Sequence, residues 1–119
     1  MSSIVDVEIT LEAGAPRLSE ATIHVRLEEV GALDVAARVV AEQVRPAVAL
    51  AAEGDEPDLY HAALEIEEHD PAASYGVRVH IDVDGDGEVS TGDFITMESY
   101  PVLTFGYPSR VAVVVRCIT

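Results

Sequence analysis

Val5-Asp6-Val7-Glu8-Ile9-Thr10-Leu11-Glu12 alternates apolar and polar residues without a break. Successive side chains of an extended chain point to opposite faces, so Val5, Val7, Ile9 and Leu11 share one side and the polar residues the other. The stretch reads as a strand with one face in a core and one in water. The same period returns along the chain. Ile23, Val25 and Leu27 alternate with His24, Arg26 and Glu28 after a turn at Gly14-Ala15-Pro16, and Gly31 ends that run. Tyr60, Ala62, Leu64 and Ile66 form a third set, and Tyr75, Val77, Val79 and Ile81 a fourth. Phe94 to Tyr100 reads as a short strand before Pro101. Arg110 to Ile118 is apolar on both faces at its centre, which predicts a buried central strand.

The segment Leu33 to Val44 admits two readings. Leu33, Ala36, Ala37, Val40 and Val44 fit one face of a helix, whereas the adjacent Val39-Val40 and the nearby Pro46 favour a strand over Arg38 to Arg45. The strand is the preferred reading. Ala52 to Asp58 and Glu68 to Ser74 are polar loops. About seven short strands separated by turn signals predict an all-β, Greek-key sandwich occupying residues 1–119 as one domain. Tyr75 opens its strand five residues after Asp70, the spacing of a tyrosine corner, in which the hydroxyl bonds the connecting backbone.

Composition sets limits on function. Hydrophobic residues are 49% of the chain but aromatics only 5%, with no Trp, so the core is built from Val, Ile, Leu and Ala. Twenty-two acids against seven bases give a net charge of −15. That field repels phosphate backbones and anionic lipid, which argues against nucleic acid and against insertion into a membrane, and favours cations or another protein as partners. Cys117 is alone and forms no internal disulfide; alternating with Val113 and Val115, it reads as a buried, inert thiol. Met1 to Thr10 has neither a basic nor an apolar leader region, and no lipidation cysteine stands near the start. The chain as written is expected in the cytoplasm, or in the periplasm if the native start lies elsewhere.

The chemistry concentrates in Asp82-Val83-Asp84-Gly85-Asp86-Gly87-Glu88-Val89-Ser90-Thr91-Gly92-Asp93. Against the calcium loop of an EF-hand, carboxylates fall at positions one, three, five and twelve: Asp82, Asp84, Asp86 and Asp93. Gly87 takes position six, where the backbone turns sharply. Glu88 is placed to ligate through its main-chain carbonyl, Val89 to anchor the loop on the core, and Ser90 to ligate directly or through water. Alternate residues of a tightly curved segment converge, and so many carboxylates repel one another unless a cation sits among them. Six to eight oxygens around a hard ion suit Ca2+ better than Mg2+. Asp-Gly is also a common turn dipeptide, but a bare turn accounts for the glycines and not for the spacing of the acids. The loop closes on Asp93 instead of the usual Glu, an ending it shares with dockerin-type calcium loops, which it resembles. Its flanks read as strands, so the expected role is a structural ion and not a helix-opening sensor.

Other candidate chemistry is weak. His24, His61, His69 and His80 lack zinc spacing and read as surface histidines. Ser19, Ser74, Ser90 and Ser99 have no nucleophile-elbow context. The chain is expected to have no enzymatic activity, with a small carboxylate-dependent hydrolase as the least favoured alternative.

Several segments resemble the YbaY/YscW-type lipoprotein family: Val25-Arg26-Leu27-Glu28-Glu29-Val30, Val40-Ala41-Glu42-Gln43, Asp70-Pro71-Ala72-Ala73-Ser74-Tyr75-Gly76-Val77-Arg78-Val79, and Gly92-Asp93 through Ser99-Tyr100-Pro101-Val102-Leu103-Thr104. The resemblance implies a transthyretin-like β-sandwich without catalytic residues. In one branch it implies a pilotin-like chaperone that assists assembly of type III secretion machinery. The leading expectation remains a calcium-binding accessory or interaction module, with the secretion chaperone as its alternative.

Overall fold

A computed structural model describes residues 2–30, 37–51 and 59–119, and all regular secondary structure in them is β. In β1 (Ser3–Leu11) the alternation becomes burial: Val5, Val7 and Ile9 are completely enclosed while Asp6, Glu8 and Thr10 face outward. β2 (Leu18–Val30), β4 (Tyr60–Ile66) and β5 (Ser74–Asp82) follow the same rule and add Ile23, Val25, Leu27, Leu64, Val77, Val79 and Ile81 to one core. β3 (Arg38–Leu50), β6 (Phe94–Ile95), β7 (Pro101–Val102) and β8 (Arg110–Cys117) complete the set. The predicted turn at Gly31, the candidate helical positions Leu33 and Ala36, and the predicted loop Ala52 to Asp58 lie outside the described residues.

The strands hydrogen-bond in the order β3-β2-β5-β6-β8-β1-β4, with β7 set beside β5. β8 joins the two layers. Val111 to Val115 run parallel to Val7 to Leu11 of β1, and its far end, Arg116 and Cys117, pairs antiparallel with β6. The sheet therefore rolls over on itself, and its end strands β3 and β4 return close to one another. Val113 and Val115 are buried and Val111 and Val114 half-buried, in keeping with a central strand, although Ala112 is exposed. Cys117 is half-buried, not enclosed as expected, because it lies where β8 leaves the core to meet β6.

The preferred strand over Arg38 to Arg45 is present, so the helical reading fails, and the strand continues through Pro46 to Leu50. A proline is tolerated there because β3 is an end strand and its pairing with β2 slips at that point. Arg45 faces Ile23 and Val48 faces Ala21, leaving Pro46 and Ala47 as a bulge with Ala47 at φ 57°.

The predicted strand Phe94 to Tyr100 is mostly absent; only Phe94 and Ile95 pair regularly. Thr96 ends the ladder with its own side chain. Its Oγ1 accepts from the Val79 N–H at 3.3 Å while its N–H donates to the Val79 carbonyl at 3.1 Å. Pairing with β5 resumes only at Tyr100, whose carbonyl accepts from the Val77 N–H at 3.0 Å.

The tyrosine corner is formed. The Asp70 N–H donates to the Tyr75 hydroxyl oxygen at 2.6 Å, and that hydroxyl donates to Glu29 Oε2 at 3.2 Å. Arg38 donates to the same carboxylate at 3.1 Å, so one buried phenol ties β5 to β2 and, through Glu29, to the start of β3. Burial, followed by the neighbouring Glu29 and Asp70 charges, raises the Tyr75 pKa despite the Asp70 N–H bond, so the phenol stays neutral. Tyr75→Phe leaves the Asp70 N–H unpaired and should cost about 1–2 kcal/mol in a denaturant titration.

Candidate functional site

The acidic loop rises from the outward face of β5. His80 and Asp82 are two residues apart on that strand and so point to the same side, while Ile81 between them is buried. After Asp82 the chain curls through Gly85 and Gly87, both at positive φ (77° and 79°), and returns to β6 at Phe94. Gly87 thus takes the sharp backbone turn expected of position six.

Asp82 organises the first half of the loop. Its Oδ1 accepts from the Gly85 N–H at 2.9 Å and its Oδ2 from the Gly87 N–H at 2.7 Å. Asp84 Oδ1 accepts from the Asp86 N–H, and Asp86 Oδ1 from the Glu88 N–H. Asp93 closes the ring: its Oδ1 accepts from the Val83 N–H at 3.0 Å and its Oδ2 from the Ser90 N–H at 3.2 Å. One carboxylate oxygen from each of Asp82, Asp84, Asp86 and Asp93 lies within 4.8 Å of the others. Ser90 Oγ joins at the margin, 3.4 Å from Asp84 and 3.5 Å from Asp93. The side chain of Glu88 is exposed, consistent with a position whose side chain has no assigned role.

Two features depart from the sequence reading. Val89 does not anchor the loop to the core. It is 60% exposed, because Asp93 and Phe94, at 1% each, take the buried place where the loop rejoins the sheet. And His80 is not a free surface histidine. Its Nε2 lies 2.8 Å from Asp93 Oδ2, its side chain is 15% exposed, and its ring stacks on His24 with centroids 5.3 Å apart. His80, Asp82 and Asp93 form a second convergent set of ligand atoms that shares two carboxylates with the first. The signal available in the sequence was positional, since His80 precedes loop position one by a single strand period. Asp93 and the adjacent Phe94 are both buried where the loop rejoins the sheet.

The loop does not form a catalytic triad. Ser90 Oγ and His80 both contact the same oxygen of Asp93, so the histidine does not stand between a hydroxyl and an acid.

A second feature lies at the opposite end of the strands. Where the rolled sheet stays open, Arg38, Val39 and Val40 of β3 face Ile66 of β4 and Glu65, Glu67 and Glu68 across a groove, with Glu29 and Ser2 at its floor and rim. Val39 is 45% exposed, on a strand that pairs, among the described residues, with β2 alone.

The family described as Type III secretion system lipoprotein chaperone (YscW) matches residues 2–115. The chain belongs to this family. Comparison with curated proteins gives no match. Among solved structures, the chain is similar to an alternative pilotin from the type II secretion system of Vibrio cholerae, with 20% identity, a TM-score of 0.74, and coverage of 100% of this chain and 99% of the pilotin chain. At that identity the likeness establishes a shared fold.

In this YscW-family chain the electrostatics of the loop are internally opposed. Burial pushes the Asp82 carboxyl up, but the Gly87 N–H, the Asp84 side chain and the Gly85 N–H together hold its pKa below the ordinary value. Asp84 is raised, first by Asp82. A group raised on folding costs stability once it ionises, and that cost disappears as pH falls below its folded pKa; for the lowered Asp82 the sign is reversed. Asp84→Asn keeps an acceptor for the Asp86 N–H and removes the repelled charge. In chelator it should therefore raise the melting temperature at neutral pH, with the gain vanishing in acid, as thermal melts across that range will show.

Proposed function

We propose that the chain is a non-enzymatic chaperone for a component of a cell-envelope secretion machine, which it holds through the groove between β3 and β4. The family match over residues 2–115 carries this reading. The fold shared with a type II secretion pilotin supports it. The lipoprotein description of the family favours the envelope over the cytoplasm expected from the start of the sequence. The groove has suitable chemistry: an end strand offers unpaired backbone groups for an added extended segment, and Glu65, Glu67 and Glu68 select against acidic partners. A partner segment with Lys or Arg residues beside aliphatic ones fits it.

Glu65 and Glu67 are exposed, so reversing both charges (Glu65→Lys with Glu67→Lys) should leave stability within about 0.5 kcal/mol. Purified from its native source under crosslinking, the wild-type chain should bring down a secretion-system component that this variant loses. Recovery of the same component by both, or of no such component by either, defeats the proposal.

A second reading concerns the loop, where the convergence of four carboxylate oxygens favours a cation. We propose that Asp82, Asp84, Asp86 and Asp93, with Ser90 and the Glu88 carbonyl, hold Ca2+ as a brace between β5 and β6. An ion bound only by the folded state adds about 2.7 kcal/mol at a hundredfold excess over its dissociation constant. Melting should therefore move upward in calcium relative to chelator, and Asp84→Ala should abolish the shift. Superimposable wild-type curves would show that the acids are held by the loop backbone alone.

A further inference from the structure

The histidines lack zinc spacing along the sequence, yet the fold assembles a mixed donor set from one histidine and two carboxylates. His80 and Asp82 share the outer face of β5, and the far end of the loop brings Asp93 back against them. One ring nitrogen of His80 and one oxygen from each carboxylate lie within 4.8 Å of one another. The two acids are buried and the imidazole nearly so. Asp84 and Asp86, which complete the oxygen-only set, are exposed. The loop therefore has an outer rim of acids and an inner trio that includes nitrogen.

The fold holds each inner donor in place. The Asp82 oxygens accept from the Gly85 and Gly87 N–H groups, Asp93 Oδ1 from Val83 and Asp93 Oδ2 from Ser90. A carboxylate offers about four lone-pair directions, so these bonds leave both acids able to ligate. His24 lies opposite His80 on β2 and stacks on its ring with the planes 12° apart, which fixes the direction of the imidazole. His80 Nε2 stands 2.8 Å from Asp93 Oδ2. Donors set about 2.1 Å from a tetrahedral ion are about 3.4 Å from one another, so a small widening of that contact lets an ion replace the proton between them.

We propose that His80, Asp82 and Asp93 form a Zn2+ site, distinct in its donors from the calcium set. Ca2+ and Mg2+ take oxygen ligands, whereas Zn2+ takes imidazole nitrogen and carboxylate oxygen together. Burial sharpens the preference, because two carboxylates closed off from water gain most from a compact divalent charge held between them. Three protein donors leave the fourth position of the ion to water. His80 also lines a surface pocket of about 220 Å3 with His24, Val89, Ile95 and Thr96, which gives solvent and ions a way to the ring. The ion ties the end of β5 to the residue before β6. This inference extends the cation reading of the loop, with which it shares Asp82 and Asp93, and the variants below separate the two.

Zn2+ and Ca2+ are titrated separately, by calorimetry, into chain that carries no histidine tag. Co2+ replaces Zn2+ in a parallel titration read by visible absorption. His80→Gln keeps an amide donor for Asp93 and removes the nitrogen ligand. It should weaken Zn2+ and Co2+ by roughly a hundredfold, since even groups that only orient ligands are worth about 10–100-fold. Its Ca2+ affinity should stay as in wild type. His80→Asn takes its place if the Gln variant does not melt cooperatively. Asp84→Ala should do the reverse, losing Ca2+ and keeping Zn2+. In wild type, Zn2+ should move the ring resonances of His80 before those of His61 and His69, which lie against Glu8 and Ser3. The proposal is overturned if the chain binds no Zn2+, or if the position-80 variants bind it as wild type does. Loss of Zn2+ with Asp84→Ala also overturns it and returns the ion to the calcium set. Resonances of His61 or His69 that move first overturn it too, and show an adventitious ion only. Zn2+ held through His80 in a chain that ignores Ca2+ supports this site and defeats the calcium reading alone.

Discussion

The alternation along β5 is the constraint on which the rest depends. Tyr75, Val77, Val79 and Ile81 fill the interior, and because the period of a strand is two, Arg78, His80 and Asp82 must face outward. A slip of one residue would bury an arginine and a histidine and expose the aliphatic set; Asp82, on that outer face, is already buried beneath its own loop. Register with β2 is correspondingly regular, running without a shift from Thr22 opposite Asp82 to Val30 opposite Ser74. The first carboxylate of the acidic loop and the phenol of the tyrosine corner are thus fixed by one strand, at its two ends.

This arrangement polarises the molecule. Beyond the C-terminal end of β5 lie the convergent acids, with His80 stacked on His24 beneath them. Beyond its N-terminal end lie the open groove between β3 and β4 and the N-terminal residues. Pairing across β2 and β5 also sets His24 opposite His80 and Arg26 opposite Arg78, an unfavourable juxtaposition of basic groups. Glu42 beside Arg26, and Glu28 near Arg78, offset it. An acidic surface lets the facing arginines persist, because each has a carboxylate within reach.

Much of the fold was legible in the sequence because burial here follows a two-residue period with small aliphatic side chains and few exceptions. The strands at Val5, Ile23, Tyr60 and Tyr75 are of this kind, and the corner at Tyr75 was readable from its distance to Asp70. The errors fall where side chains compete with the backbone or where a neighbour decides. Thr96 ends a strand by hydrogen-bonding Val79, an event no period records. β3 continues past Pro46 because it pairs on one side only, a property of topology. Within the candidate site, the spacing of the acids was readable, since it is set by a local turn. The exposure of Val89 and the enlistment of His80 were not, because both depend on how deeply Phe94 pulls the end of the loop into the core.

The separation of the two ends also bears on what the loop can do. Asp82 closes β5 and Asp93 precedes β6, while the C-terminal residues are tied in through the Ile118 N–H to the Asp93 carbonyl at 2.8 Å and the Gly92 N–H to the Ile118 carbonyl at 2.9 Å. These bonds clamp β5, β6 and the end of β8 at the point where the sheet passes from one layer to the other, and β6 is only two residues long there. A two-residue strand is a weak seam, and the acidic loop lies directly over it. Whatever strengthens the loop therefore strengthens the junction of the layers. A brace at the seam would be a more economical role for this loop than a switch, since β5 is paired with β2 along its whole length between the two ends.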